Sequence, residues 1–252
     1  MLRDDFGLDN CLWVFSGRRG VHCWICDPEA RNMTNEMRSA VTQYCNIPGV
    51  GNEMSGKVTL QYPLHPNLRK AFEYLKDFFE QIVIKEQDLL SQPRHQQNFL
   101  KYLSIDIRDG VMKKWATLKN EGEKMWAVWK QAHEEWKFSA ANAKYKTAEK
   151  DLSYEELVLC YLYPRLDANV STGINHLLKS PFCVHPKTGN ICVPFDPANV
   201  QNFKLAEVPN LTMVINELGQ VKERQSDDTA VVPCLEPYLA LFKNHIKKCV
   251  AK

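Results

Sequence analysis

Apolar and polar residues alternate in two short runs near the start of the chain, CLWVFS at 11–16 and VHCWIC at 21–26, both rich in aromatic and β-branched types. A period of two predicts half-buried strands, and the intervening GRRG at 17–20 predicts a β-hairpin with a four-residue connection. The segment LRDDFGLDN ahead of the first strand reads as the tail of a helix, and a buried strand this close to Met1 leads us to expect further sequence upstream. After the hairpin the period lengthens. Asp27 is expected to cap a helix opened by Pro28, and Met33, Met37, Ala40, Val41 and Tyr44 then recur at helical spacing up to a break near Pro48-Gly49. Asn67 is expected to cap a second, amphipathic helix, in which Leu68, Ala71, Phe72, Leu75, Phe78, Phe79, Ile82 and Val83 share one face.

From about 88 to 161 the pattern stays helical, with no proline between Pro93 and Pro164 and with Trp115, Trp126, Trp129 and Trp136 set among lysines and glutamates. That setting favours packing between helices over stacking on nucleic-acid bases. Beyond Pro164 the runs shorten again: RLDANVSTGINHLLKSPFCVH and NICVPF, divided by PKTG at 186–189, predict a second hairpin. Residues 219–233 read as a surface loop, and Pro237 opens a last helix with Tyr238, Leu239, Phe242 and Ile246 inward and Lys247 and Lys248 near its end. The expected class is α+β, with a core in two parts, 1–62 and 163–252, interrupted by a helical subdomain at 63–162. Such an insertion lets the two hairpins lie together in space.

Composition narrows the function classes. The chain has 252 residues, 44% hydrophobic and 25% charged, which is ordinary for a soluble protein with a substantial core. Its formal charge is only +2, so binding to polyanions must come from local clustering. No run approaches the roughly 18 apolar residues of a membrane helix, and MLRDD does not open a secretory signal, so an intracellular protein without membrane attachment is expected. Nine scattered cysteines fit reduced thiols better than a disulfide framework.

Turning a chain does not call for adjacent guanidiniums, so Arg18 and Arg19 need another explanation. Their forked donors suit phosphate oxygens, Gly17 and Gly20 permit close backbone approach, and Ser16 and His22 can donate from the strand ends. The alternative is a solvated basic turn. His176, Lys179 and His185 put three potential cations within ten residues of the second hairpin; each alone reads as structural, together as a binding cluster. Asp167 is either the ion-pair partner of Arg165 or a ligand for Mg²⁺ or Mn²⁺, although such hard cations take more than one carboxylate. Cys23 and Cys26 form a C-x-x-C with no second Cys or His pair at zinc-like spacing nearby, so no zinc site is expected there.

The strings LWVFSGRRGVHCW, PRLDANVS, GINHLLKSPFCVHPKTG and ICVPF closely resemble the small, catalytic subunit of eukaryotic DNA primase, and the similarity runs over essentially the whole chain. The resemblance implies a split α/β core of the archaeo-eukaryotic primase type interrupted by a helical subdomain, and a nucleotidyltransferase that makes RNA primers on single-stranded DNA for replication. It implies that Ser16, Gly17, Arg18, Arg19, Gly20 and His22 hold the incoming ribonucleoside triphosphate, completed by His176, Lys179 and His185. It matches Asp167 to one of three metal carboxylates for Mg²⁺ or Mn²⁺. The family's other two, an Asp-x-Asp pair, and its cysteine-rich zinc motif lie upstream of the SGRRG turn and do not occur here; Asp4 and Asp5, being adjacent, would point to opposite faces of a strand. The resemblance further implies the primase large subunit and DNA polymerase α as partners, in the nuclear primosome. Two readings follow: the C-terminal portion of a primase catalytic subunit, or a truncated, non-catalytic form retaining nucleotide or large-subunit binding.

Overall fold

The computed structural model describes residues 1–47, 50, 57–142, 150–224 and 232–250, and it divides into two compact units, Met1–Tyr44 with Asp167–Lys252, and Cys45–Leu166. The class is α+β: helices predominate around one small sheet. Among the described residues no helix is long and apolar enough to cross a membrane.

The first unit is built on a three-stranded antiparallel sheet, β1 (Cys11–Phe15), β2 (Val21–Ile25) and β3 (Pro194–Phe195), in the order β2-β1-β3. Leu12 pairs with Trp24, Phe15 with Val21, and Trp13 with Phe195. Alternation along β1 sends its side chains to opposite faces. Leu12 and Val14 join Cys192 in a buried cluster covered by Trp24, Cys183 and Phe242. On the other face Phe15 packs with Ile191, Val193 and Val208 under Phe182, Phe203 and Tyr238. Burial of each large side chain contributes about 1.5–3 kcal/mol. The residues flanking β3 thus alternate as a strand does, and they lock it to β1 through the Phe15 amide, which donates to the Val193 carbonyl at 2.9 Å.

The second hairpin is narrower than expected, a single bridge between Val184 and Ile191 closed by the His185 amide donating to Asn190 O at 2.8 Å. Four other expectations are corrected. Asp27 precedes the helical turn Pro28–Arg31 without capping it; its buried carboxylate accepts from the backbone amides of Asp9 and Asn10 and from Asn10 Nδ2. The amphipathic helix spans Pro66–Phe79 and is capped by His65, whose Nδ1 accepts from the Asn67 amide; Phe78 faces outward. Residues 219–224 are not loop but the end of the helix Leu211–Arg224, because Val214 and Leu218 continue an inward stripe and Glu217 accepts from the Cys234 amide at 2.8 Å. The rest of that expected loop, 225–231, and Pro48-Gly49 lie outside the described residues. In the last helix, Glu236–Val250, Ile246 is exposed while Tyr238 and Phe242 face the core.

The second unit is helical. The helix Pro66–Phe79 continues in π-helical form over Glu80–Glu86, burying Val83 and Ile84, and is followed by Pro93–Lys101, Ile105–Ala116, Gly122–Asn142 and Ser153–Leu162. The tryptophans are core: Trp126 and Trp129 stack at 5.1 Å between ring centroids, and each is at most 2% exposed. Their indole N–H groups are satisfied by Glu80 Oε2 and the Phe99 carbonyl, and that of Trp115 by the Met125 carbonyl, which explains why such large amphipathic rings are tolerated inside. Glu156 accepts from the Leu60 amide and pairs with Lys57 at 2.9 Å, while Tyr102 Oη accepts from the Val58 amide, so the extended stretch at 57–60 is tied to the helices.

The buried pair His133 and Asp151, 2.8 Å apart, gives this unit a pH signature. Burial alone would raise the Asp151 carboxyl, but hydrogen bonds from His133 and Ser153, with the charges of His133 and Lys137, outweigh it and hold the group down to about 2. A carboxyl lowered by folding contributes stability above its unfolded value, near 4, and loses it as pH falls toward 2. Urea unfolding followed by tryptophan fluorescence should show about 2 kcal/mol lost over that window, and Asp151→Asn should flatten this acid limb while lowering stability at neutral pH.

Candidate functional site

The turn between β1 and β2 is closed at both ends by Ser16. Its amide donates to the Gly20 carbonyl at 2.9 Å, and its hydroxyl oxygen accepts from the Gly20 amide at 3.1 Å, leaving its own O–H to donate elsewhere. Gly17 is buried at φ 88°, a conformation that disfavours any side chain, and a Cβ there would lie 2.5 Å from His185 Cβ. The space that a side chain at this position would need is therefore filled by His185. The Gly17 carbonyl accepts from Thr188 Oγ1 at 2.8 Å and Asn190 Nδ2 at 3.2 Å. One residue of the first hairpin is thus packed against and hydrogen-bonded to the second.

This docking gathers the positive groups. Arg18 and Arg19 are exposed and have no carboxylate partner among the described residues. His185 is buried; desolvation, then the charges of Lys179, Arg18 and Lys187, hold its imidazole below the ordinary value. Burial, then the charge of Lys179, does the same to the half-buried His22. Both rings are thereby biased toward the neutral form. The Lys187 amide donates to His185 Nδ1 at 3.3 Å, and Thr188 Oγ1, whose own proton goes to the Gly17 carbonyl, lies 3.2 Å from the same nitrogen. His22 Nδ1 is buried and has no hydrogen-bond partner among the described residues, an uncommon and costly condition that a ligand oxygen or water would relieve. Arg18, Lys179, Lys187 and the two imidazoles form a locally basic constellation in a chain whose formal charge is only +2. Chemically it is suited to a compact polyanion.

Two expected members take no part in the hydrogen bonds that join the two hairpins. Asp167 is exposed at the start of the short helix Ala168–Thr172 and does not cap it, and His176 is exposed in the segment that follows. Among the described residues neither is hydrogen-bonded or ion-paired to the basic turn, and no grouping of three or more ligand side chains includes Asp167. The residues present do not by themselves make a Mg²⁺ or Mn²⁺ site, which needs several oxygens. Thr188 and Asn190 are the positioning groups that sequence reasoning did not single out. The signal was there: KTGN supplies both side chains around a turn that already called for Gly189.

A family model for the DNA primase small subunit matches residues 1–197, which contain every member of the basic constellation. The chain belongs to the DNA primase small subunit family. It is 37% identical over 229 residues to the DNA primase small subunit of Schizosaccharomyces pombe, covering 89% of this chain and 49% of that protein. It is 33% identical over 230 residues to that of Drosophila melanogaster (88% and 52%) and 34% identical over 254 residues to that of Saccharomyces cerevisiae (97% and 58%). The chain therefore spans about half the length of the curated relatives it matches.

Two outcomes test the geometry. In histidine NMR titrations His22 and His185 should protonate below the ordinary value near 6.5; Arg18→Ala should raise the His185 value, and inorganic triphosphate should raise both by favouring the charged rings. Gly17→Ala should cost on the order of 1–3 kcal/mol in urea unfolding of the first unit, because neither the backbone angle nor His185 leaves room for a methyl group.

Proposed function

We propose that this chain is the triphosphate-binding portion of a DNA primase catalytic subunit, acting in the templated synthesis of RNA primers. The observation that supports the reading is the docking of Gly17 on His185, which brings the two hairpins together, with Arg18 and Lys179 close enough to His185, and Lys179 to His22, to hold both rings toward the neutral form. In phosphoryl transfer the protein contributes mainly by positioning and charge neutralisation. Arg18 and Arg19 present forks to non-bridging phosphate oxygens, Lys179 supplies a point charge, and the His185 ring, with the Ser16 hydroxyl, donates further hydrogen bonds. His22 gains a partner for its orphaned ring nitrogen.

By family resemblance Asp167 would be one of three carboxylates holding Mg²⁺ or Mn²⁺, which would supply charge neutralisation for phosphoryl transfer. Among the described residues no grouping of three or more ligand side chains includes Asp167. His176 is proposed to reach the nucleotide only once substrate orders its exposed segment. The large primase subunit, DNA polymerase α, a single-stranded DNA template and a nuclear location belong to the same reading.

That no group of three ligand side chains among the described residues includes Asp167 supports a second reading for residues 1–252 on their own: nucleotide binding without primer synthesis. The two are separated by supplying template, ribonucleotides and Mg²⁺ or Mn²⁺ to this chain and to the same chain extended upstream. Synthesis by the extended protein alone supports the first reading for the whole protein and the second for this polypeptide. Robust synthesis by the short chain that is lost in Asp167→Ala means that other carboxylates complete the site.

The phosphate assignment has its own test. Each lost charge-assisted hydrogen bond costs about 1.5–3 kcal/mol, so Arg18→Ala with Arg19→Ala should weaken nucleoside triphosphate binding by roughly a hundredfold or more, with the circular dichroism spectrum unchanged. Wild-type affinity in the double variant, measured with a fluorescent nucleotide, removes the cradle from the mechanism.

A further inference from the structure

The last helix, Glu236–Val250, carries Phe242, His245 and Cys249 at three- and four-residue spacing, so all three share one stripe. Phe242 packs on the buried Leu12, Val14 and Cys192 cluster at the face of the sheet. The stripe then reaches Cys26, the residue that follows β2 after Ile25. One ligand atom from each of Cys26, His245 and Cys249 lies within 4.8 Å of the other two, and Cys249 Sγ is 3.4 Å from His245 Nε2. In a tetrahedral zinc site, Zn–S bonds of about 2.3 Å and Zn–N bonds of about 2.0–2.1 Å put sulfur and nitrogen ligands about 3.6 Å apart and two sulfurs about 3.8 Å apart. The three side chains therefore stand near ligating separations, all within the first unit. Two thiolates and an imidazole suit zinc and exclude Mg²⁺ and Mn²⁺, which take oxygen ligands.

We propose that Cys26, His245 and Cys249 bind one Zn²⁺ ion, with water or another exogenous ligand in the fourth position, and that the ion staples the last helix to the end of β2. The neighbouring Asp27 is not the fourth ligand, since its carboxylate is occupied by the amides of Asp9 and Asn10. The site is distinct from the cysteine-rich motif that the family resemblance assigns upstream, and it depends on no assumption about nucleotide binding. It also explains what the C-x-x-C at 23–26 lacked: the partners of Cys26 come from the far end of the chain, where no local spacing pattern finds them. Binding replaces two thiol protons with the metal and adds a bond between the end of β2 and the last helix to the packing of Phe242 there, so metal affinity becomes folding stability.

The test uses the whole chain, purified under reducing conditions and titrated with Zn²⁺ and with Co²⁺ as a spectroscopic probe. Elemental analysis should find one zinc per chain, and Co²⁺ should give the visible bands of a tetrahedral site together with thiolate charge-transfer absorption. Cys249→Ser and His245→Ala should weaken zinc binding by more than the roughly 10–100-fold that loss of a supporting outer partner costs, whereas Cys234→Ser should leave it unchanged. Should the ligand variants fail to fold, alkylation of the native chain gives the answer: zinc should protect Cys26 and Cys249 but not Cys234. Equal labelling of the three with and without zinc, absence of the cobalt bands, or a Cys26–Cys249 disulfide that persists under those reducing conditions would overturn the proposal.

Discussion

The contact on which the basic site depends is the one between Gly17 and His185. A residue with any side chain at position 17 would collide with the Cβ of His185, and the Gly17 carbonyl would lose its two donors, Thr188 and Asn190. Neither half of the constellation is held by its own hairpin alone. The turn carrying Arg18 and Arg19 is fixed because its backbone is clasped by residues 171 and 173 positions further on. The segment with Lys179 and His185 is barely a hairpin, a single bridge that gains rigidity by leaning on β1 through Val193 and on Gly17 through His185.

That clasp holds like charges together, which is unfavourable in the free protein. The depressed titration of His185 and His22 registers this: burial and the surrounding cations favour neutral rings. Packing around Phe15, Ile191 and Val193 and the hydrogen bonds to Gly17 hold an arrangement that electrostatics alone would disperse. A site preorganised against its own repulsion binds an anion strongly, because the ligand relieves strain already imposed and little further ordering is needed.

How much of this the sequence disclosed depends on the range of each interaction. The first hairpin, the amphipathic helix and the tryptophan core follow from local periodicity, which sequence displays directly. The basic pair stood out because a turn has no need of Arg18 and Arg19. Caps were misassigned where a longer-range partner competed: Asp27 is drawn from its helix by Asn10, and His65 takes the place given to Asn67. The end of the helix Leu211–Arg224 was hidden because a glycine and several polar residues imitate a loop, while Glu217 and Cys234 meet only in three dimensions. The role of Gly17 was half visible. A glycine was evidently required, but that the space a side chain would take is occupied by His185 is a tertiary fact.

The same distinction separates the two kinds of residue the family relationship brings to this chain. Arg18, Lys179, His22 and His185 are gathered inside the first unit, so their clustering is a property of residues present here. Asp167, exposed and outside any cluster of ligands among the described residues, has no such internal support. A carboxylate is drawn into a metal site by the cation and by the other carboxylates that share it, and without them it gains more from water. The basic groups are therefore gathered by packing and hydrogen bonds that the chain itself supplies, whereas a carboxylate such as Asp167 takes its place in a metal site only together with the ions and carboxylates that share it.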